Sequence, residues 1–412
     1  MDKFYLIIVI VLFALAISDL IVGVSNDAVN FLNSAIGSKT APYRMIIWIA
    51  SIGVLVGATF SSGMMEVARK GIFNPESFYF SEIMIICLAV MLTDVILLDL
   101  FNTFGLPTST TVSIVFELLG AAVAMSLIKI KNTAYTMADM GNFINTERSL
   151  LIILGILLSI VFALSFGIIV QYLTRIVFTF NFKKTIRYFG SIWGGLAITA
   201  ITYFILIKGA KGSSFLSDEK IEWITDNSTL IMGMSFAFWA ILTQLLQWIF
   251  NVNVFKVIVL FGTFALAMAF AGNDMVNFIG VPLAGFESFK IYSAQQALGA
   301  NELTMVSLKG QVDTPTSFLI IAGLIMVITL RFSKKARTVT RTEINLGNQD
   351  EINERFSSSG FARTIVRNWI LASNFLKSIM PQSLLKIIDK RMDDKSFKKL
   401  ARKDKGMSFD LV

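Results

Sequence analysis

Two short stretches hold a carboxylate and two carboxamides at one shared spacing: Asn26-Asp27-Ala28-Val29-Asn30-Phe31 and Asn273-Asp274-Met275-Val276-Asn277-Phe278. Each closes a long apolar run, where an ionisable side chain is costly and therefore marks function. Asn26, Asp27 and Asn30 offer hard oxygen ligands near a helix end, with Asp27 and Asn30 on one face at i, i+3. Asn273, Asp274 and Asn277 repeat that set, and amide oxygens around one carboxylate suit a sodium ion. One copy alone reads better as an ordinary Asn-Asp helix cap in a surface loop. The repetition, Asp274 lying 247 positions after Asp27, favours function, because paired acid-amide clusters mark transporters built from two related halves.

A third stretch carries hydroxyls. Pro107-Thr108-Ser109-Thr110-Thr111 follows Gly105 and precedes an apolar run, so it predicts a broken helix start with proline in the first turn. Free backbone N–H groups, the positive end of the helix dipole and the hydroxyls of Ser109, Thr110 and Thr111 would converge there on a tetrahedral oxyanion. The bland alternative is a plain Ser/Thr cap.

The elements that must position these residues are membrane helices. With 55% hydrophobic and 16% charged residues and a mean hydropathy of +0.70, the chain is too apolar for a soluble globule. Runs long enough to span, or nearly so, lie at 4–22, 45–60, 82–100, 106–128, 149–173, 188–207, 228–250, 254–271 and 315–330. The first lacks a basic leader and a small-residue cleavage site, so it is expected to be retained. Gly23, Ser25 and Asn26 are poor helix-interior residues and predict an unwound point. Gly53 and Gly57 form a small-x-x-x-small pair that predicts close helix packing.

Asp94, Asp99 and Glu117 also fall in apolar runs and are expected to face protein or a cavity, Asp99 nearer an interface. Glu117 is a candidate for tuning coupling or carrying a proton. Gln244 and Gln247 read equally as ligands or as interhelical glue. The chain has no histidine and one cysteine, Cys87, which excludes a His metal site, a His proton relay and an intramolecular disulfide.

The net charge of +8 is concentrated late: residues 331–406 hold 18 Lys/Arg against 8 Asp/Glu. Such juxtamembrane excess marks a cytoplasmic side facing lipid phosphates and needs no nucleic-acid partner. The basic loop with Arg175, Lys183, Lys184 and Arg187 belongs on the same side, and the mixed loop 208–227 on the other.

Taken together, the doubled Asn-Asp-x-x-Asn cluster, Pro107-Thr108-Ser109-Thr110-Thr111 and Glu66-Val67-Ala68-Arg69-Lys70-Gly71-Ile72 resemble the inorganic phosphate transporter (PiT) family of sodium- or proton-coupled symporters. The resemblance implies an all-α polytopic membrane protein of inverted repeats with discontinuous or re-entrant helices, and no enzyme activity. It implies inorganic phosphate and sodium as partners in the lipid bilayer of a bacterial inner membrane, sodium ions as coupling ions and no other cofactor, with a homodimer admitted. Sodium would bind at Asn26, Asp27, Asn30, Asn273, Asp274 and Asn277. Phosphate would bind at Ser109, Thr110 and Thr111 beside Asp27 and Asp274, while Glu66 and Arg69 would gate or couple. A sulfate-carrying or proton-coupled relative is the close alternative.

The halves are expected at 1–175 and 254–330, with further helices over 176–253, a basic cytoplasmic segment over 331–406 and the start of another helix at 407–412. A symmetric transporter would repeat the hydroxyl element, and the nearest candidate, Thr314-Pro315-Thr316-Ser317, is weak and too close to Asp274. The expectation is therefore a truncated chain lacking its last helices, which alone would bind ions poorly and not transport.

Overall fold

The computed structural model describes residues 2–59, 71–179, 185–208, 217–295, 298–309, 315–346 and 359–391. Among these there is no strand, only two isolated bridges between loops. The main helices are α1 (Asp2–Asp27), α2 (Val29–Gly37), α3 (Tyr43–Thr59), α4 (Phe80–Phe104), α5 (Thr110–Asn132), α6 (Thr146–Phe178), α7 (Thr185–Tyr203), α8 (Ser228–Phe250), α9 (Val254–Ala294), α10 (Thr316–Phe332), α11 (Lys334–Leu346), α12 (Gly360–Ile379) and α13 (Gln382–Arg391). Each of the nine apolar runs falls on a helix. Among the described residues seven helical stretches are long and apolar enough to cross a membrane, α1 and α2 counting as one, and the number is eight if the bent pair α10–α11 is a single broken span. The chain is an integral, multi-pass membrane protein.

Its outer helices show why composition was so apolar. Along α6, Leu150, Leu154, Leu157, Val161 and Leu164 are all more than half exposed, as expected where lipid replaces water as the solvent.

The core is two crossed helices. Tyr5 meets Tyr292 with ring centroids 5.8 Å apart, Phe13 meets Phe286 at 5.6 Å, and Gly23 meets Phe278, so α1 and α9 run antiparallel. Because these helices carry the two related motifs, their opposed directions make the repeat an inverted one. At 41 residues α9 is about 60 Å long, roughly twice the hydrocarbon thickness. Subtracting the 247-residue offset maps it onto residues 7–47, so it is the counterpart of α1 and α2 fused.

The unwound point expected at Gly23 to Asn26 is absent. Helix α1 continues through Asp27, and only Ala28 interrupts it: Ala28 N still donates to Val24 O at 3.0 Å, and Leu32 N to Ala28 O at 3.1 Å. Gly23 serves close approach instead. A Cβ there would lie 2.1 Å from the Phe278 ring. The ring contacts follow the repeat, since Phe31 packs on Phe270 at 5.3 Å just as Phe278 packs on Gly23, and both 270 minus 23 and 278 minus 31 equal 247. Each motif's phenylalanine therefore covers the position four residues before the other motif's aspartate.

Gly53 and Gly57 let α3 lie against α9: a Cβ at either would come within 2.4 Å of Phe264 O or 2.1 Å of Met268 O respectively. Residues 334–346 form α11, which packs against α1, α2 and α4 and buries Ala336, Val339, Thr340 and Ile344. Alternating apolar and basic positions give α11 one face for the bundle. Gln247 donates to Ile186 O at 3.3 Å, joining α8 to α7.

Candidate substrate and cation site

The site forms where the first motif, the second motif and the start of α5 meet. Gly105, in the left-handed conformation (φ 64°), stops α4. The chain then runs extended to Ser109, whose Oγ accepts from Val112 N at 3.3 Å and caps α5. Pro107 thus stands two residues before the cap rather than in the first turn, leaving Thr110 and Thr111 as the first helical residues.

Those two threonines divide the aspartates between them. Thr110 Oγ1 donates to Asp27 Oδ2 at 2.7 Å, and Thr111 Oγ1 donates to Asp274 Oδ1 at 3.1 Å. Asn277 Nδ2 donates to Thr111 Oγ1 at 3.1 Å and to Asp274 Oδ1 at 3.3 Å, and Asn273 Nδ2 reaches the same oxygen at 3.3 Å. Adjacent helix positions point about 100° apart, so one helix N-terminus meets both carboxylates. Asp27 is 1% exposed and its Oδ1 receives no donor from the described residues.

Asn26 has a different task from the one its motif suggests. Its Nδ2 donates to Asn102 Oδ1 at 2.9 Å and Leu106 O at 3.0 Å, and its Oδ1 accepts from Thr108 N at 2.7 Å. Asn102 in turn donates to Val22 O at 2.7 Å. Asn26 therefore clamps the α4–α5 connection and keeps one lone pair for anything else.

Asn30, Asn273 and Ser109 are exposed, whereas Asp27, Thr110 and Asn277 are buried. Asn30 shares a helix face with Asp27 by spacing, but α1 ends between them and Asn30 faces outward. Ser113 Oγ donates to Glu117 Oε1 at 2.7 Å, deeper along α5. Asp99 is half exposed and paired with Lys335, whereas Asp94 is fully buried.

Glu66, Arg69 and Thr314 lie outside the described residues. Thr316 and Ser317 head α10, whose other end reaches the first motif through Ser333, so about 25 Å of helix separates them from the site. They do not join it. Ser333, at the 68° bend between α10 and α11, pairs instead with Ser25 Oγ at 2.8 Å, one residue before Asn26. Asn102, Ser333 and Asp19 were missed in the sequence. Asp19 alone carried a signal, as an acid within the first apolar run.

Asp27 Oδ1 is a buried acceptor with no donor among the described residues, and among those residues no group of three acidic, thiol or imidazole side chains forms a transition-metal cage. The set fits a hard monovalent cation beside an oxyanion held at a helix N-terminus. These features are those of a polar ion site inside a membrane-embedded helical bundle.

Residues 23–335 match the model of the phosphate transporter family, and the chain belongs to that family. It is 25% identical over 283 residues to a protein of Thermococcus kodakarensis named "putative phosphate permease", covering 68% of this chain and 66% of the relative. So-named proteins of Pyrococcus furiosus and Haemophilus influenzae are 26% and 22% identical, covering 47% and 64% of this chain and 44% and 62% of their own lengths. The matches thus span less than two thirds of these relatives. A solved structure, "The sodium-dependent phosphate transporter", shares the fold with a TM-score of 0.62 at 20% identity, over 81% of this chain and 78% of the other.

Proposed function

We propose that this chain is a secondary transporter that carries inorganic phosphate across a prokaryotic plasma membrane by sodium symport. The observation that carries the reading is the meeting of Asp27 and Asp274 at the first turn of α5. A helix N-terminus with free N–H groups and hydroxyls attracts a tetrahedral anion, yet here two carboxylates already occupy its surroundings. Phosphate, of charge −1 to −2, would be repelled unless cations came first. Sodium at Asp27 Oδ1 and at the Asp274–Asn277 oxygens would cancel that charge and free the threonine hydroxyls for phosphate. Cation and anion binding are then coupled by electrostatics alone.

Alternating access would follow from rocking one repeat against the other about this fixed site. The test is radiolabelled phosphate uptake into proteoliposomes with and without a sodium gradient, with excess unlabelled sulfate as competitor. Sodium-dependent uptake that sulfate leaves intact supports the reading. Uptake suppressed by sulfate, or driven only by a pH gradient, would replace it with the sulfate or proton-coupled alternative. Asp27→Asn and Asp274→Asn should each abolish sodium stimulation.

A further inference from the structure

The proposed transport leaves two buried acids, Asp19 and Asp94, and the half-buried Glu117 unused. Helices α1 and α4 run parallel, with Tyr5 on Phe80 (centroids 4.7 Å) at one end and Asn102 bonded to Val22 at the other. Between these contacts Asp19 of α1 lies beside Asp94 of α4. Both side chains are 0% exposed, and no N–H or O–H of the described residues donates to any of their four oxygens. Ser113 Oγ, which also lies beside Asp94, gives its proton to Glu117 Oε1, and Glu117 Oε2 likewise has no donor.

We propose that Asp19, Asp94 and Glu117 form a buried proton-binding site, separate from the Asp27–Asp274 pair and linked to it through Asp27.

The groups that face Asp19 are Asp94 on α4, Glu117 on α5 and Asp27 on its own helix, all acidic. Of the basic side chains on the other helices packed against α1, Lys334 and Arg341 of α11 and Lys256 of α9 are exposed, and the rest are engaged away from these acids. Lys335 of α11 pairs with Asp99, Arg337 covers the Tyr43 ring, Arg331 of α10 covers Trp48, and Lys290 of α9 pairs with Glu287. Asp274 of α9 faces Asp27. Several carboxylates without a base cannot all stay charged in a low-dielectric interior. A metal would answer the charge, but the three acids do not converge as a cage. A proton needs no cage. One held between Asp19 and Asp94 gives an O–H···O⁻ bond, the shortest and strongest kind these groups can make.

Asp19 lies eight residues from Asp27, about 12 Å along α1. At that range across a dry interior, charge on Asp27 alters proton affinity at Asp19, so cation binding at the outer site releases or admits a proton at the inner one. The proton site stands independently of the sodium–phosphate reading; only its linkage depends on that reading.

Infrared difference spectroscopy of the full chain in lipid nanodiscs, between acidic and alkaline buffers in light and heavy water, tests it. Wild-type protein should keep a protonated-carboxyl band at neutral pH. Asp19→Asn and Asp94→Asn should each remove a component, Glu117→Gln should shift it, and Asp27→Asn/Asp274→Asn together should keep it while lowering the pH at which it is lost. Absence of the band in wild type, its loss at every pH in the Asp27/Asp274 double variant, or its survival unchanged in folded Asp19→Asn and Asp94→Asn would each overturn the proposal. Because the first two outcomes need no inner-site variant, misfolding of those variants leaves a decision. Adding sodium then phosphate to wild type should perturb the Asp19-dependent component. A component that does not respond, in protein that shows sodium-dependent uptake, would sever the link while leaving the transport reading intact.

Discussion

Thr110 and Thr111 are neighbours in sequence, yet each serves an aspartate from a different half of the chain. The two bonds should differ in weight. Asp27 is almost fully buried and Thr110 is its sole donor among the described residues, whereas Asp274 is partly exposed and keeps Asn273 and Asn277. Replacing threonine by valine keeps the shape and removes the hydroxyl, which leaves a buried acceptor short by about 1–3 kcal/mol. Thr110→Val should therefore lower the melting temperature in detergent more than Thr111→Val does, with sodium restoring part of the loss. Equal effects would mean the burial difference has no energetic weight. The aspartates stood out in the sequence because an acid in an apolar run has few innocent explanations. The clamp made by Asn26 was hidden, since its partners lie 76 to 82 residues away and an amide beside an aspartate looks like a ligand. Asp19 was overlooked because the run around it was read as a single apolar block.

Helix–helix distances rest on small residues, and these carry a graded prediction. At Gly57 any side chain meets the α9 backbone, which cannot swing aside as a rotamer can. Gly57→Leu should push α3 off α9 and reduce the folded yield on size-exclusion chromatography several-fold. Gly120, with open space around it, is the control: Gly120→Ala should be neutral or stabilise by up to about 1 kcal/mol through helix propensity. If Gly57→Leu folds as well as Gly120→Ala, the close crossing is not what holds these helices. At this scale the sequence was readable, since length and hydropathy alone located all nine helical runs. Gly23 was not, because the same residue signals a turn and a close approach, and only the distant Phe278 distinguishes them.

Across the whole molecule, three polar residues of the site's motifs are exposed, and aromatic rings close the far end of the crossed helices. Asn30, Asn273 and Ser109 are exposed, while the far end of the crossed helices is filled by Tyr5, Phe80 and Tyr292, with the last two rings stacked at 4.3 Å. The native Cys87 is buried, so wild-type protein offers a low background to thiol reagents. Asn30→Cys and Asn273→Cys should be labelled by a membrane-impermeant maleimide from the same side of sealed vesicles, with sodium and phosphate together slowing both. Labelling of the two from opposite sides would contradict a shared opening. The inverted repeat was legible from the doubled motif. The Ser25–Ser333 contact was not, because Ser333 at a helix bend shares no pattern with Pro107-Thr108-Ser109-Thr110-Thr111.

The reciprocal packing of Phe31 on Phe270 and of Phe278 on Gly23 bears on whether the halves are still interchangeable. Positions 23 and 270 are equivalent under the repeat, but one is the smallest residue and the other among the largest. A chain assembled from two first halves would set glycine opposite both phenylalanines and leave a ring-sized hole, a loss of about 3–5 kcal/mol by analogy with removing a core phenylalanine. A chain of two second halves would drive a phenylalanine into the space that Gly23 leaves open. The duplicated units have thus become lock and key to one another, and neither can now be substituted by a copy of its twin.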